Sequence, residues 1–144
     1  MKTDAGRDES RPYEILADFL RYPEGDPEME ELYTRTFDIQ AIAHLDVGYV
    51  LFGEDYKRGH FLVKMQSLQK EHRNDCGTEL SDHLPNVLTL LKKMKNEEAA
   101  ELAGKIVLPA VEKMLEGFAE KGNLYGEVLQ AVRETLKQDY GRPS

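Results

Sequence analysis

Apolar residues in this chain recur at spacings of three and four, and almost nowhere at two. Tyr125, Val128, Leu129, Val132 and Leu136 form one such stripe, and Leu84, Val87, Leu88, Leu91 and Met94 form another. Spacing near 3.6 gathers side chains on one face of an α-helix, whereas a half-buried strand needs strict alternation. No segment alternates between hairpin signals, so the expected fold class is all-α. With 144 residues there is material for one core. The expected organisation is a flexible tail over residues 1–10, a single-domain bundle of about six or seven helices over 11–140, and a short tail over 141–144.

Local signals divide the chain further. Pro12 sits where a first helical turn tolerates it, ahead of Tyr13, Ile15, Leu16, Phe19 and Leu20, and Tyr22-Pro23 ends that run. The acidic cluster Glu24, Asp26, Glu28, Glu30 and Glu31 reads as a solvated loop and helix start. Asp38 is expected to cap a helix carrying Ile42, Leu45, Tyr49 and Phe52, stopped by Gly53. A segment from about Asp55 to Arg73 would bury the Arg58 stem, Phe61, Leu62, Met65, Leu68 and His72, with Lys57, Lys64 and Lys70 in water. Asp82 is expected to cap the next helix, with Pro85 in its first turn. A helix opening at Asn96-Glu97-Glu98 should kink or break near Leu108, because Pro109 cannot donate a backbone hydrogen bond. Its stripe should end near Gly122, and a final helix should run from about Asn123 to Asp139.

Composition narrows the function classes. A net charge of -8 and a pI near 5.0 argue against binding a phosphate backbone, which needs clustered Lys and Arg, and favour basic partners. No run approaches the roughly 20 apolar residues of a membrane span. The mixed-charge start resembles neither a secretory signal nor a transit peptide, so no membrane insertion is expected and the cytoplasm is the default location. Cys76 is the only cysteine, which excludes an internal disulfide and thiolate-rich metal sites.

Motifs for catalysis are missing. Phosphate-binding loops, nucleotide-binding glycine patterns, a nucleophile elbow and a His-Glu-x-x-His zinc site are all absent. A di-iron bundle needs Glu-x-x-His on two helices, and none of His44, His60, His72 or His83 has a glutamate three residues before it. The pairs His72–Cys76 and Glu79–His83 cross an expected loop and gather no further ligands. The expectation is a protein without catalytic residues, metal or cofactor.

One stretch stands out: Glu79-Leu80-Ser81-Asp82-His83-Leu84-Pro85. A capping acid, a histidine and a first-turn proline make a rigid helix start. Asp82 reads either as a plain N-cap or, with His83, as a polar pair at the rim of an apolar groove. Phe37, Tyr49, Phe52, Leu84 and Val87 would line that groove, beside the acids Glu54, Glu79 and Asp82. Arg58 reads either as half of an ion pair with Asp38 or Glu54, or as a direct client contact.

Four landmarks then occur in order: Leu20-Arg21-Tyr22-Pro23; Tyr33-Thr34-Arg35-Thr36-Phe37-Asp38; Gly53-Glu54-Asp55-Tyr56-Lys57-Arg58-Gly59; and Glu79 through Pro85. Together they resemble the nitrate reductase delta-subunit (NarJ-like) family, within the wider group of TorD- and DmsD-type chaperones for redox-enzyme maturation. The resemblance covers residues 13 to about 136. It implies a cytoplasmic all-helical chaperone, not an enzyme, that binds the N-terminal or twin-arginine segment of an immature molybdopterin oxidoreductase catalytic subunit. It would hold that subunit until cofactor insertion and assembly or export.

Carried over by position, the resemblance puts client-peptide binding on Asp82 and His83. The aromatic-Asp landmark falls on Tyr33, Phe37 and Asp38, and the Gly-acid-Arg-Gly landmark on Gly53, Glu54, Arg58 and Gly59. Glu79, Leu84, Pro85, Tyr49 and Phe52 complete the expected site. Two departures stand out. The span from Tyr22-Pro23 to Tyr33 is short, so an N-terminal helical hairpin is missing, and Ser81 stands where the pattern often has proline. The shortening would leave Leu16, Phe19 or Leu20 to be covered by the client or by a second copy, as a homodimer. The alternative function is a non-catalytic helical adaptor or structural subunit of a respiratory complex.

Overall fold

The computed structural model describes the backbone of residues 4–39, 45–118 and 123–140, and side chains from residue 12 within the first stretch through residue 37. The elements are α1 (Asp4–Leu20), α2 (Pro27–Tyr33), α3 (Val47–Phe52), α4 (Tyr56–Glu71), α5 (Leu84–Lys93), α6 (Asn96–Leu102), α7 (Leu108–Glu116) and α8 (Leu124–Tyr140). A π-helical segment, Thr34–Ile39, continues α2, and another, Ala103–Val107, joins α6 to α7 without a break. Counted as continuous rods, these are seven helices, with no strand among the described residues. The all-α single-domain bundle expected from the stripes is the observed fold.

Helix α5 is the most deeply buried of the described helices. Leu84, Val87, Leu88, Leu90 and Leu91 are all buried, so this helix is apolar well beyond one stripe and must be covered on several sides. Helix α1 packs along it and also against α8, while α7 lies against α8 and α3. The α8 stripe is buried as expected at Tyr125, Val128, Leu129, Val132 and Leu136. Between α1 and α8, the Tyr13 hydroxyl donates to Asp139 Oδ2 at 2.8 Å. Burial and the neighbouring Asp139 push that phenol well above its ordinary pKa.

Several boundaries differ from the sequence reading. Helix α1 begins at Asp4 and takes in most of the segment expected as a tail, with Pro12 inside it. Once the buried half of α1 is docked, extending it backwards adds one hydrogen bond for each further residue fixed. Asp38 does not cap α3: it lies within the π-helical continuation of α2, and α3 starts at Val47 with Asp46 in the N-cap position. Ile42, His44 and Gly122 lie outside the described residues. In place of a break before Pro109 the helix widens into a π-helical turn ending at Val107. A wider turn accommodates the missing proline N–H and the ring, which would otherwise collide with the preceding carbonyls. Leu20 is sealed rather than left uncovered, while Phe19 is 40% exposed.

Turn chemistry fixes the ends. Asp26 caps α2 by accepting from the Glu28 and Met29 amides, Asp55 caps α4 by accepting from Lys57, and Gly53 closes α3 at φ +66°. Helix α4 ends with Arg73 in the left-handed region, φ +55°. There the Arg73 N–H reaches Lys70 O at 3.1 Å and the Asn74 N–H reaches Gln69 O at 2.9 Å. This is a Schellman ending with arginine where glycine is preferred.

Two substitutions test this account by urea unfolding. Leu88→Ala should cost about 2–5 kcal/mol, since it opens a cavity in the most enclosed helix. Arg73→Gly should raise stability by about 1 kcal/mol by relieving the left-handed strain.

Candidate functional site

The distinctive stretch 79–85 meets the start of α3 through a pair of backbone hydrogen bonds. Val47 N–H donates to Asp82 O at 2.9 Å and Leu84 N–H donates to Leu45 O at 2.8 Å. This isolated antiparallel bridge, Asp46 with His83, ties the first turns of α3 and α5 together. Each residue at the bridge then serves the opposite helix. Asp82 is fully buried, and its Oδ2 accepts the Gly48 N–H at 2.8 Å. It therefore caps α3 and not α5, whose N-cap residue is His83. Asp46 makes no side-chain cap hydrogen bond, and its carboxylate faces His83 Nδ1 at 3.0 Å.

Arg58 of α4 reaches into this joint. Its Nη2 lies 3.6 Å from both Asp46 Oδ2 and Asp82 Oδ2, and its guanidinium stands over the Tyr49 ring at 5.6 Å. The expectation of an ion pair at Arg58 thus holds in kind, but the partners are Asp46 and Asp82. Glu54 is exposed, and the side chain of Asp38 lies outside the described residues. At 3.6 Å the guanidinium balances two carboxylates by charge more than by hydrogen bonding. Asp82 Oδ1, Arg58 Nε and Arg58 Nη2 are buried without hydrogen-bond partners. Burial, and next the Asp46 charge, push the Asp82 carboxyl above its ordinary pKa, against the Gly48 amide and Arg58. Gly48 is required by space: a Cβ there would stand 2.7 Å from Asp82 Oδ2 and 2.8 Å from Phe61 Cδ2.

The rim imagined from sequence is therefore placed differently. Asp82, Leu84, Pro85 and Val87 are interior, and Phe37 is 7% exposed. Asp82 and Leu84 are buried because the backbone bridge draws 82–84 against α3. Tyr49 and Phe52 are half-buried, one under Arg58 and the other edge-on to Phe61 at 5.7 Å. Of the expected set, Phe37, Glu79 and His83 do come together.

They line a pocket of about 290 Å³ with Tyr22, Tyr33, Leu45 and Asp46. The Tyr22 and Tyr33 rings meet edge-on at 5.2 Å, and Tyr33 continues to Phe37 at 4.9 Å and Tyr125 at 5.7 Å. Aromatic faces beside the Asp46 and Glu79 carboxylates suit a cation, through ring quadrupoles and charge together. With His83 Nδ1 committed to Asp46, Nε2 is the ring nitrogen that remains for another group.

Beyond Glu79 lies a broader cleft of about 550 Å³, whose walls include Val63, Gln66, Lys70, Cys76, Glu79 and Leu80. The loop between the two is held by buried amides. Gln69 Nε2 donates to Ser81 O at 3.0 Å, and Asn86 Nδ2 donates to Cys76 O at 3.2 Å and Leu80 O at 3.1 Å. Cys76 is half-buried, and burial and the neighbouring Asp75 raise its thiol pKa. Among the described residues, no group of three or more His, Cys, Asp and Glu is arranged to hold a metal ion. No described helix is long and apolar enough to cross a membrane.

Asp46 and Gln69 escaped the sequence reading. An aspartate directly before the apolar run from Val47 was a legible cap signal, whereas burial of Gln69 depends on a loop folding over it. Comparison with protein-family models, with curated proteins and with solved structures finds no match to this chain.

The raised Asp82 carboxyl has a signed consequence. The folded chain holds this proton more tightly than the unfolded chain, so the group's stability contribution is greatest below the ordinary carboxyl value of 3.8. It falls as pH climbs from there through the raised folded value. Measured by urea unfolding across pH, Asp82→Asn should remove that decline, so that the parent loses stability relative to the variant as pH rises; a pH-independent difference would refute the assignment. Asp82→Ala should cost about 1–2 kcal/mol through loss of the α3 cap.

Proposed function

We propose that this chain acts by binding and not by catalysis, as a chaperone that holds the N-terminal or signal segment of an immature molybdopterin oxidoreductase catalytic subunit. The observation that carries the reading is the small pocket where Tyr22, Tyr33 and Phe37 meet Asp46, Glu79 and His83. Three of the four landmarks behind the family resemblance contribute a wall to it: Tyr22 from the first, Tyr33 and Phe37 from the second, Glu79 and His83 from the last. The third contributes Arg58, which steadies Asp46 from behind. A net charge of -8 steers a basic leader segment toward such a site. Burial of a few apolar anchors, less the ordering of the peptide, leaves micromolar-scale affinity, about -8 kcal/mol at 1 μM. That strength suits a holder that must let go.

A second reading, a helical adaptor within a respiratory complex or a self-associating chain, draws on the exposed Ile15 and Phe19 on α1 and Tyr22 just beyond its end. The two are separated by co-purification from the cells that express the chain, with bound polypeptides identified by mass spectrometry. The chaperone reading expects an oxidoreductase catalytic subunit that leaves once mature; an adaptor stays in the finished complex. Tyr22→Ala and Glu79→Lys, both at exposed positions, should each weaken binding of a labelled client N-terminus by about 10-fold, or 1.4 kcal/mol. Helical circular dichroism should not change. Unaltered affinity in both variants would remove the pocket from the site.

A further inference from the structure

Glu79 lines the aromatic pocket and the broader cleft at once. The two therefore share one wall, the Glu79 side chain, on a loop held by Gln69 and Asn86. Their chemistry differs. The first offers aromatic rings and carboxylates. The second offers two exposed apolar side chains, Val63 at 64% and Leu80 at 47%, with Gln66 and Lys70 able to donate to peptide carbonyls.

We infer that the two clefts form one bipartite site for an extended peptide, with a basic side chain seated among Tyr22, Tyr33, Asp46 and Glu79 and an apolar side chain laid on Val63 and Leu80. This rests on the peptide-binding reading above and specifies its register. The overall charge of -8 and the exposed Glu79 carboxylate, with Asp46 already shared by Arg58 and His83, select a cationic residue over an acidic one. Glu79, on the shared wall, faces the cation from the side where the peptide leaves the pocket.

An extended strand turns alternate side chains to opposite faces. Both anchors reach the same protein surface only when an even number of positions separates them, at about 7 Å for i, i+2 or about 13 Å for i, i+4. A bound helix would instead pair i with i+3 and i+4.

The probe is a set of fluorescein-labelled synthetic peptides of glycine and serine, each roughly twelve residues or about 40 Å when extended. Each carries one arginine and one leucine at varied separation, alongside an arginine-only control, and binding to the intact chain is read by fluorescence polarisation. Affinity should alternate with separation, the best even spacing binding about 10-fold more tightly than its odd neighbours and than the control. Val63→Ser, at an exposed position and without change of charge, should erase the leucine advantage while leaving the control unchanged. Binding that ignores separation, or that ignores Val63→Ser, overturns the bipartite site but leaves peptide capture standing. Preference for both i+3 and i+4 overturns the extended register in favour of a helix. Failure of every peptide to bind overturns the inference and the peptide-binding reading together.

Discussion

The bundle turns on one carboxylate buried where two helix starts meet. Asp82 has no exposed surface, and it takes up a backbone N–H of α3 that Asp46 leaves without a side-chain cap. Withdrawing a charge from water is costly, and here the compensation is incomplete: one amide hydrogen bond and a guanidinium 3.6 Å away, with Oδ1 left unmatched. What the arrangement supplies is position. It holds α3 against α5 at one register, brings Arg58 in from α4, and fixes the orientation of His83 through Asp46. The pocket wall formed by Asp46 and His83 is thereby set from the interior, without relying on the exposed loop around it.

This places the landmark residues in two groups. Asp82, Leu84 and Arg58 hold the joint around Gly48, while Tyr22, Tyr33, Glu79 and His83 face the space beside it. The sequence pattern that joins Asp82 and His83 as neighbours conceals this division. The backbone between them pairs with residues 45–47, so one side chain points into the core and the next toward the pocket, the alternation expected of an extended segment.

Much of the fold was legible because it follows from periodicity. The stripes on α5 and α8 needed only the 3.6-residue repeat, and Pro109 marked its irregular turn through a missing N–H. The site was less legible. Its cap crosses from one chain segment to another 34 residues away, and no local pattern announces a cap supplied from a distance. Asp82 satisfied every local criterion for capping α5, and only the backbone bridge to Leu45 and Val47 redirects it. Aromatic residues posed the same difficulty: Phe37 is deep in the core yet contributes to a pocket wall, because Tyr22 and Leu45 leave a gap above it.

The wide turn between α6 and α7 also constrains how the chain can change. A π-helical turn accommodates one residue more than the α-helix would, and each residue corresponds to about 100° of rotation around the axis. The burial of Ala99 before it, of Ala103 and Val107 within it, and of Ala110, Val111 and Met114 after it keeps one apolar face running through the turn. Excising one residue there would straighten the rod but swing one half's greasy side out into water. A lineage that lost a residue from the swollen turn would therefore have to repaint an entire helical face.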